Sequence, residues 1–254
     1  MNKVLIYGYE WTHKSGGIVA LHMLAEKLNE AGVDVSMTCF SPVFGVEHYQ
    51  GGPVDDDTLV IYPEVVQGNP LKAKRVMRYI LAERGYWNVA PGDEILCWSV
   101  SMRDHVERQA SRHLKDNEFL RLPITDTSLF NHRDPVERKI ITSYECTWPG
   151  GIEITQGWPL HHYEMAGLLK QSLFTVVWRT QTSVVEEALL CGTPVLTRGK
   201  MIHDNEYHLY GLTDDHAHLE KSHAEVGKTW YAYHEYLSKF PALFGRFLDR
   251  IKSL

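Results

Sequence analysis

A chain of 254 residues, 44% of them hydrophobic and 23% charged, has ordinary globular composition and suffices for one large domain or two small ones. A net charge of -6 and the lack of a basic run with interleaved aromatics argue against a nucleic-acid partner. No apolar run reaches the roughly 18 residues of a membrane span, the strand after Met1 is too short for a signal segment, and Cys39, Cys97, Cys146 and Cys191 form no C-x-x-C, so a cytoplasmic protein with buried thiols is expected.

KVLIY, residues 3–7, reads as a buried strand, and IVALHMLAEKLNEAG then carries Ile18, Leu21, Leu24 and Leu28 at helical spacing with Gly32 as the stop. VDVSMT alternates, so the chain opens as a βαβ unit with parallel strands. TLVIYP gives a third strand, and Asn69-Pro70 supplies an N-cap and first-turn proline for a helix over LKAKRVMRYILAE, residues 71–83. EILCW, a weaker helix near RDHVERQASRHL and a strand at FLRLP continue the alternation of a doubly wound α/β domain.

Over residues 122–138 the pattern lapses into a linker or hinge with two prolines and short polar residues. A second α/β array follows: KIITSY, IEIT, the helix LHHYEMAGLLKQ, LFTVVW, the helix SVVEEALLC and PVLT. The last fifty residues read as helical, with an aromatic stripe facing a core and a kink or break at Pro241. Two such arrays facing each other imply an interdomain ligand cleft.

The adjacent Glu186 and Glu187 are the most informative pair. Ser183-x-x-Glu186 matches a capping box, which gives Glu186 a local role. Glu187 lies about 100° further round the helix, and its side chain leans toward the N-terminus, where the free amides of the first turn attract an anion. This suits a nucleoside diphosphate, with phosphates on the amides near Thr182 and Ser183 and ribose hydroxyls donating to the carboxylate.

EEALLCGTPVL resembles the segment E-A-(small or apolar)-x-C/G-G-x-P-V in the second domain of retaining GT-B glycosyltransferases, in the large family that includes sucrose synthases and many mannosyltransferases. SGGIVALHMLAEKLNEAGVDV is similar to the glycine loop and first helix of the family's N-terminal domain. YPEVVQGNPLKAKR and EITQGWPLHHYEMAGLLKQS are similar to segments of compact members, some encoded by large algal viruses. The resemblance implies a GT-B fold of two Rossmann-like doubly wound domains facing a cleft: an acceptor domain over 1–125, and a donor domain over 126–254 with C-terminal helices crossing back. It implies that Glu187 binds the ribose, and that Ser15, Gly16 and Gly17 reach the donor phosphates or the acceptor. The family's first glutamate, eight positions before the second, is Arg179 here, placed to pair with a phosphate oxygen, to face an acceptor acid or to be a surface charge at a strand end. Lys139, Arg198 and Lys200 are unranked candidates for the family's cations behind the diphosphate.

The activity implied is metal-independent, retaining transfer of a hexose to a glycan or other hydroxyl acceptor, from GDP-mannose first and a UDP-sugar second, with no further cofactor. A nucleotide-sugar epimerase and a nucleotide-sugar-binding protein without turnover are the alternatives. Glu64, after the third strand, is a candidate to orient acceptor hydroxyls or act as base, with Tyr62, Pro63 and Asn69 beside it; His13 is a candidate proton shuttle and Trp158 a boundary for the base. His161-His162, His203-x-x-Glu206 and His216, His218 and His223 contain ligand types for a metal but no recognised pattern, so they are expected to be structural or surface residues.

Overall fold

The computed structural model describes residues 3–13, 15–82, 89–133, 136–155, 157–159, 161–178, 182–199 and 208–254. The chain divides into two compact units, Met1–Ile124 with Lys239–Leu254, and Thr125–Ser238.

In the first unit the buried triplet of β1 (Val4–Ile6) leads to α1 (Gly16–Glu30), whose buried face includes Leu21, Leu24 and Leu28. Gly32, at φ 73°, ends α1: its amide and that of Val33 return to the carbonyls of Asn29 and Leu28. The strands β2 (Val35–Met37), β3 (Glu47–His48), β4 (Leu59–Pro63), β5 (Arg75–Ile80) and β6 (Glu94–Cys97) complete a sheet in the order β3-β2-β1-β4-β5-β6, parallel throughout. This is a Rossmann-like arrangement.

The helix expected over residues 71–83 is instead the strand β5. Asn69 caps no helix; it accepts from the Ala73 amide and the Tyr62 hydroxyl and donates to the Ala73 carbonyl, closing a turn in which Lys72 has φ 53°. Val76 to Ile80 are all buried, which a strand inside a parallel sheet requires and a surface helix does not. Periodicity failed here because Arg78 is also buried, paired with Asp93 at 2.8 Å and donating to the carbonyls of Val66 and Gly68. The helix α2 (Arg103–Ala110) forms as expected, whereas FLRLP contributes a single bridge, Phe119 to Cys97, and no strand.

The second unit holds β7 (Ile140–Tyr144), β8 (Ile152–Ile154), α3 (His162–Gln171), β9 (Ser172–Val177), α4 (Ser183–Leu190), β10 (Val195–Thr197), β11 (Leu212–Thr213) and α5 (Leu219–Glu225). Its sheet runs β11-β10-β9-β7-β8, again parallel throughout. Phe174, Val176 and Leu196 form an apolar cluster on this sheet, with Trp148 and Leu219 packed against it.

The helix α6 (Gly227–Ser253) starts in the second unit and ends in the first, and it continues through Pro241 without the expected break. An interior proline costs about 3 kcal/mol, and the buried stripe of Trp230, Tyr233, Tyr236, Phe240, Phe244 and Phe247 outweighs it. Among the described residues no helix is long and apolar enough to cross a membrane.

Candidate functional site in the second unit

In an open parallel sheet, ligands bind beyond the carboxyl ends of the strands where the strand order reverses. In the second unit that point lies between β7 and β9, because the chain steps from β7 outward to β8 and then returns to the other side of β7. The helix α4 starts there. Its C-terminal end is fixed by CGTP: Gly192 takes φ 74°, and the amides of Gly192 and Thr193 bond the carbonyls of Leu189 and Ala188. The Arg138 guanidinium donates to the carbonyls of Cys191 and Ser172. Gly-Thr-Pro is thereby explained by the chain reversal into β10. The glutamates are not.

The N-cap of α4 is Thr182, one residue earlier than a Ser183 capping box requires, and Thr182 makes no side-chain cap bond. Ser183 is inside the helix, so the Ser183–Glu186 capping box does not form. Glu186 instead accepts from the Thr125 hydroxyl, while the Tyr233 hydroxyl donates to the Thr125 carbonyl at 3.3 Å. Its role is structural, as a tie to the first residues of the unit.

Glu187 leans back over the first turn, where the Ser183 side chain hydrogen-bonds its carboxyl group. It is 5% exposed, and Oε2 has no hydrogen-bond partner among the described residues. Burial, then the neighbouring Glu186, push its pKa up to about 8 against the opposing Ser183 bond. At neutral pH it therefore carries its proton. A buried carboxyl with one oxygen unoccupied, beside a helix end that Thr182 does not cap, is arranged to receive hydrogen-bond donors on one side and an anion on the other.

The cations separate by position. Lys139 precedes β7, at the opposite edge of the sheet from α4's N-terminus, and pairs with Glu137 at 2.7 Å. Arg198 follows β10 at the same edge as α4's N-terminus; its amide bonds the Val177 carbonyl, and its guanidinium lies 5.9 Å from the centroid of Trp148. Arg179 and Lys200 lie outside the described residues. Gly199 passes so close to β9 that a Cβ there would stand 2.0 Å from the Trp178 carbonyl oxygen, which holds the ends of β9 and β10 together. Trp148 and Trp178 were missed by sequence reasoning; Trp178 directly follows β9, whereas Trp148 comes four residues after β7 and packs on the apolar cluster of the sheet. Trp158, 44% exposed, sits beyond β8 in a turn closed by reciprocal backbone bonds with Thr155.

In the first unit the strand order reverses between β1 and β4. Ser15 is the N-cap of α1 and accepts from the Ile18 amide at 3.4 Å, so its hydroxyl is engaged within the fold. Gly16 and Gly17 supply the first helical amides, and a Cβ on Gly17 would meet nothing closer than 3.7 Å, so packing does not demand a glycine there. His13 is half-buried before this helix. Glu64, 4% exposed, accepts from the Leu81 amide at 3.0 Å across the ends of β4 and β5. Tyr62 and Asn69 are occupied in the turn that precedes β5.

Among the described residues no three His, Cys, Asp or Glu side chains are placed to hold a metal ion. His161 stacks on Tyr163, His162 packs edge-on to Phe130 and His216 stacks on Trp148; His203 and Glu206 lie outside the described residues. Cys97 and Cys191 are buried, and burial pushes both thiols up to about 12, which makes them inert packing groups. No family model matches the chain, and no curated protein matches it either.

Proposed function

We propose that the chain is a GT-B glycosyltransferase that moves a hexose from a nucleoside-diphosphate sugar to a hydroxyl acceptor, with retention and without a bound metal. The observation that carries the reading is the buried Glu187 carboxyl, with Oε2 unpartnered, over the first turn of α4 at the switch point of the second sheet. A diphosphate set against the amides of Ser183 and Val184 gains from the helix N-terminus, and ribose hydroxyls fill the empty position on Glu187. As the bond between anomeric carbon and phosphate breaks, negative charge builds on the leaving diphosphate; the helix amides oppose it, with Arg198, which follows β10 at that edge, a candidate cation. GDP-mannose is the first donor proposed and a UDP-sugar the second, both from the sequence resemblance.

NMR of donor and acceptor incubated together tests this. Release of the diphosphate with the sugar joined to the acceptor in its original anomeric configuration supports it. Epimerisation of the donor alone, or tight nucleotide binding with neither transfer nor hydrolysis, overturns it. Turnover should persist in the presence of a chelator; loss that a divalent cation restores contradicts the metal-independent reading.

A further inference from the structure

Four large aromatic side chains stand exposed on two loops at the carboxyl edge of the first sheet: Tyr9 (42%), edge-on to Tyr7, and Trp11 (36%) after β1, and Phe40 (83%), tilted against His48, and Phe44 (43%) after β2. The two loops that carry them are bound to each other. Gly8 and the Thr38 hydroxyl exchange hydrogen bonds at 3.1 Å, and the Phe40 amide donates to Glu10 Oε1 at 2.7 Å. Trp11 stands edge-on to Phe44 at 5.4 Å and to the buried ring of His22 at 5.2 Å, which fixes the orientation of its ring.

Burial does not account for Phe40 and Phe44. Phe40 gains almost nothing from burial, and Phe44 has φ 61°, a left-handed conformation that costs a bulky residue on the order of 1–3 kcal/mol. We propose that the Tyr9, Trp11, Phe40 and Phe44 shelf is a binding site for a neutral saccharide, whose ring C–H faces lie on the aromatic rings and whose hydroxyls meet Glu10 and the Tyr9 phenol.

Three features select that ligand. Taking about 200 Å² per aromatic side chain, the exposed part is about 400 Å² in all, half of the roughly 800 Å² per partner that a stable protein interface needs. The Glu10 carboxylate repels an anionic ligand, which disfavours nucleic acid and acidic lipid. The shelf also adjoins the strand-order reversal between β1 and β4, where parallel sheets take small ligands. The proposal stands apart from the reading of Glu187.

Titration of the full chain with neutral mannose, glucose and N-acetylglucosamine trisaccharides, followed by tryptophan fluorescence and saturation-transfer NMR, tests it. Binding of at least one is expected, weakened about five-fold or more by Phe40→Ala and Trp11→Ala. Phe44→Gly should lower saccharide affinity while leaving thermal stability equal or higher, an outcome that a purely structural Phe44 does not produce. No trisaccharide binding, undiminished binding in Phe40→Ala, or self-association that disappears in Phe40→Ala each overturn the shelf. A nucleoside diphosphate titrated in parallel separates the two readings: retained nucleotide binding with no saccharide binding sinks the shelf alone, and the reverse result sinks the Glu187 reading alone.

Discussion

Burying a carboxyl group without its full set of hydrogen bonds costs several kcal/mol unless the group keeps its proton, and Glu187 meets both conditions, being buried with Oε2 unpartnered and its pKa raised to about 8. The linkage has a definite sign. The folded state holds this proton more tightly than the unfolded chain, so the contribution is favourable below the ordinary carboxylate value of 4.5 and is lost as pH rises through about 8. A shift of that size corresponds to roughly 3–5 kcal/mol. Glu187→Gln should remove most of that slope, giving a variant more stable than wild type at pH 9; denaturant midpoints across pH measure it, and parallel curves for the two proteins would refute the buried charge. Nucleoside diphosphate binding should show the opposite trend, with affinity rising toward pH 8 because ribose hydroxyls donate to the ionised form. Glu186→Ala should weaken folding by about 1–2 kcal/mol through the lost Thr125 bond and, by removing a charge that raises the Glu187 pKa, should not weaken nucleotide binding. Two glutamates at the head of a short helix were legible in the sequence, and so was the one able to point to its end. The register of the cap was not, because Ser183 is at least as good an N-cap residue as Thr182, and the helix nevertheless starts one residue earlier.

At the scale of elements, the alternation of strand and helix was readable wherever one face was apolar, as in α1, α3 and β9. It misled at β5, where a buried arginine in a run of lysine, arginine and apolar residues imitates an amphipathic helix, and its partners Asp93, Val66 and Gly68 are set by the fold. The same kind of distant pairing secures the last turns of α6: Arg250 bonds Glu94 at 2.6 Å, Glu118 at 3.2 Å and the Ile95 carbonyl, while Arg112 and the Lys115 amide also donate to Glu118. Arg250→Met should destabilise the first unit by about 3 kcal/mol, read as a lower denaturant midpoint; an unchanged midpoint would mean that Arg112 and the Lys115 amide satisfy Glu118 without it. Gly199→Ala drives a Cβ into the Trp178 carbonyl and separates β10 from β9, so a loss of about 1–3 kcal/mol is expected, with weaker nucleotide binding because α4 starts just beyond that strand. Full stability in this variant would show that the loop yields freely.

For the whole molecule, composition and the double run of strands and helices foretold two parallel α/β arrays, since neither depends on side-chain partners. What the sequence withheld were features made by strand order: the two positions where that order reverses, the aromatic shelf beside one and the half-empty carboxyl beside the other. Isothermal titration of GDP, UDP and ADP into wild type and Glu187→Ala, in two buffers of different ionisation enthalpy, addresses the central claim most directly. One diphosphate should bind wild type roughly 5- to 150-fold more tightly than the variant, a difference of about 1–3 kcal/mol, with close to one proton released at pH 7 by wild type and none by the variant. Equal affinity in the two proteins, or binding without proton release, would contradict it.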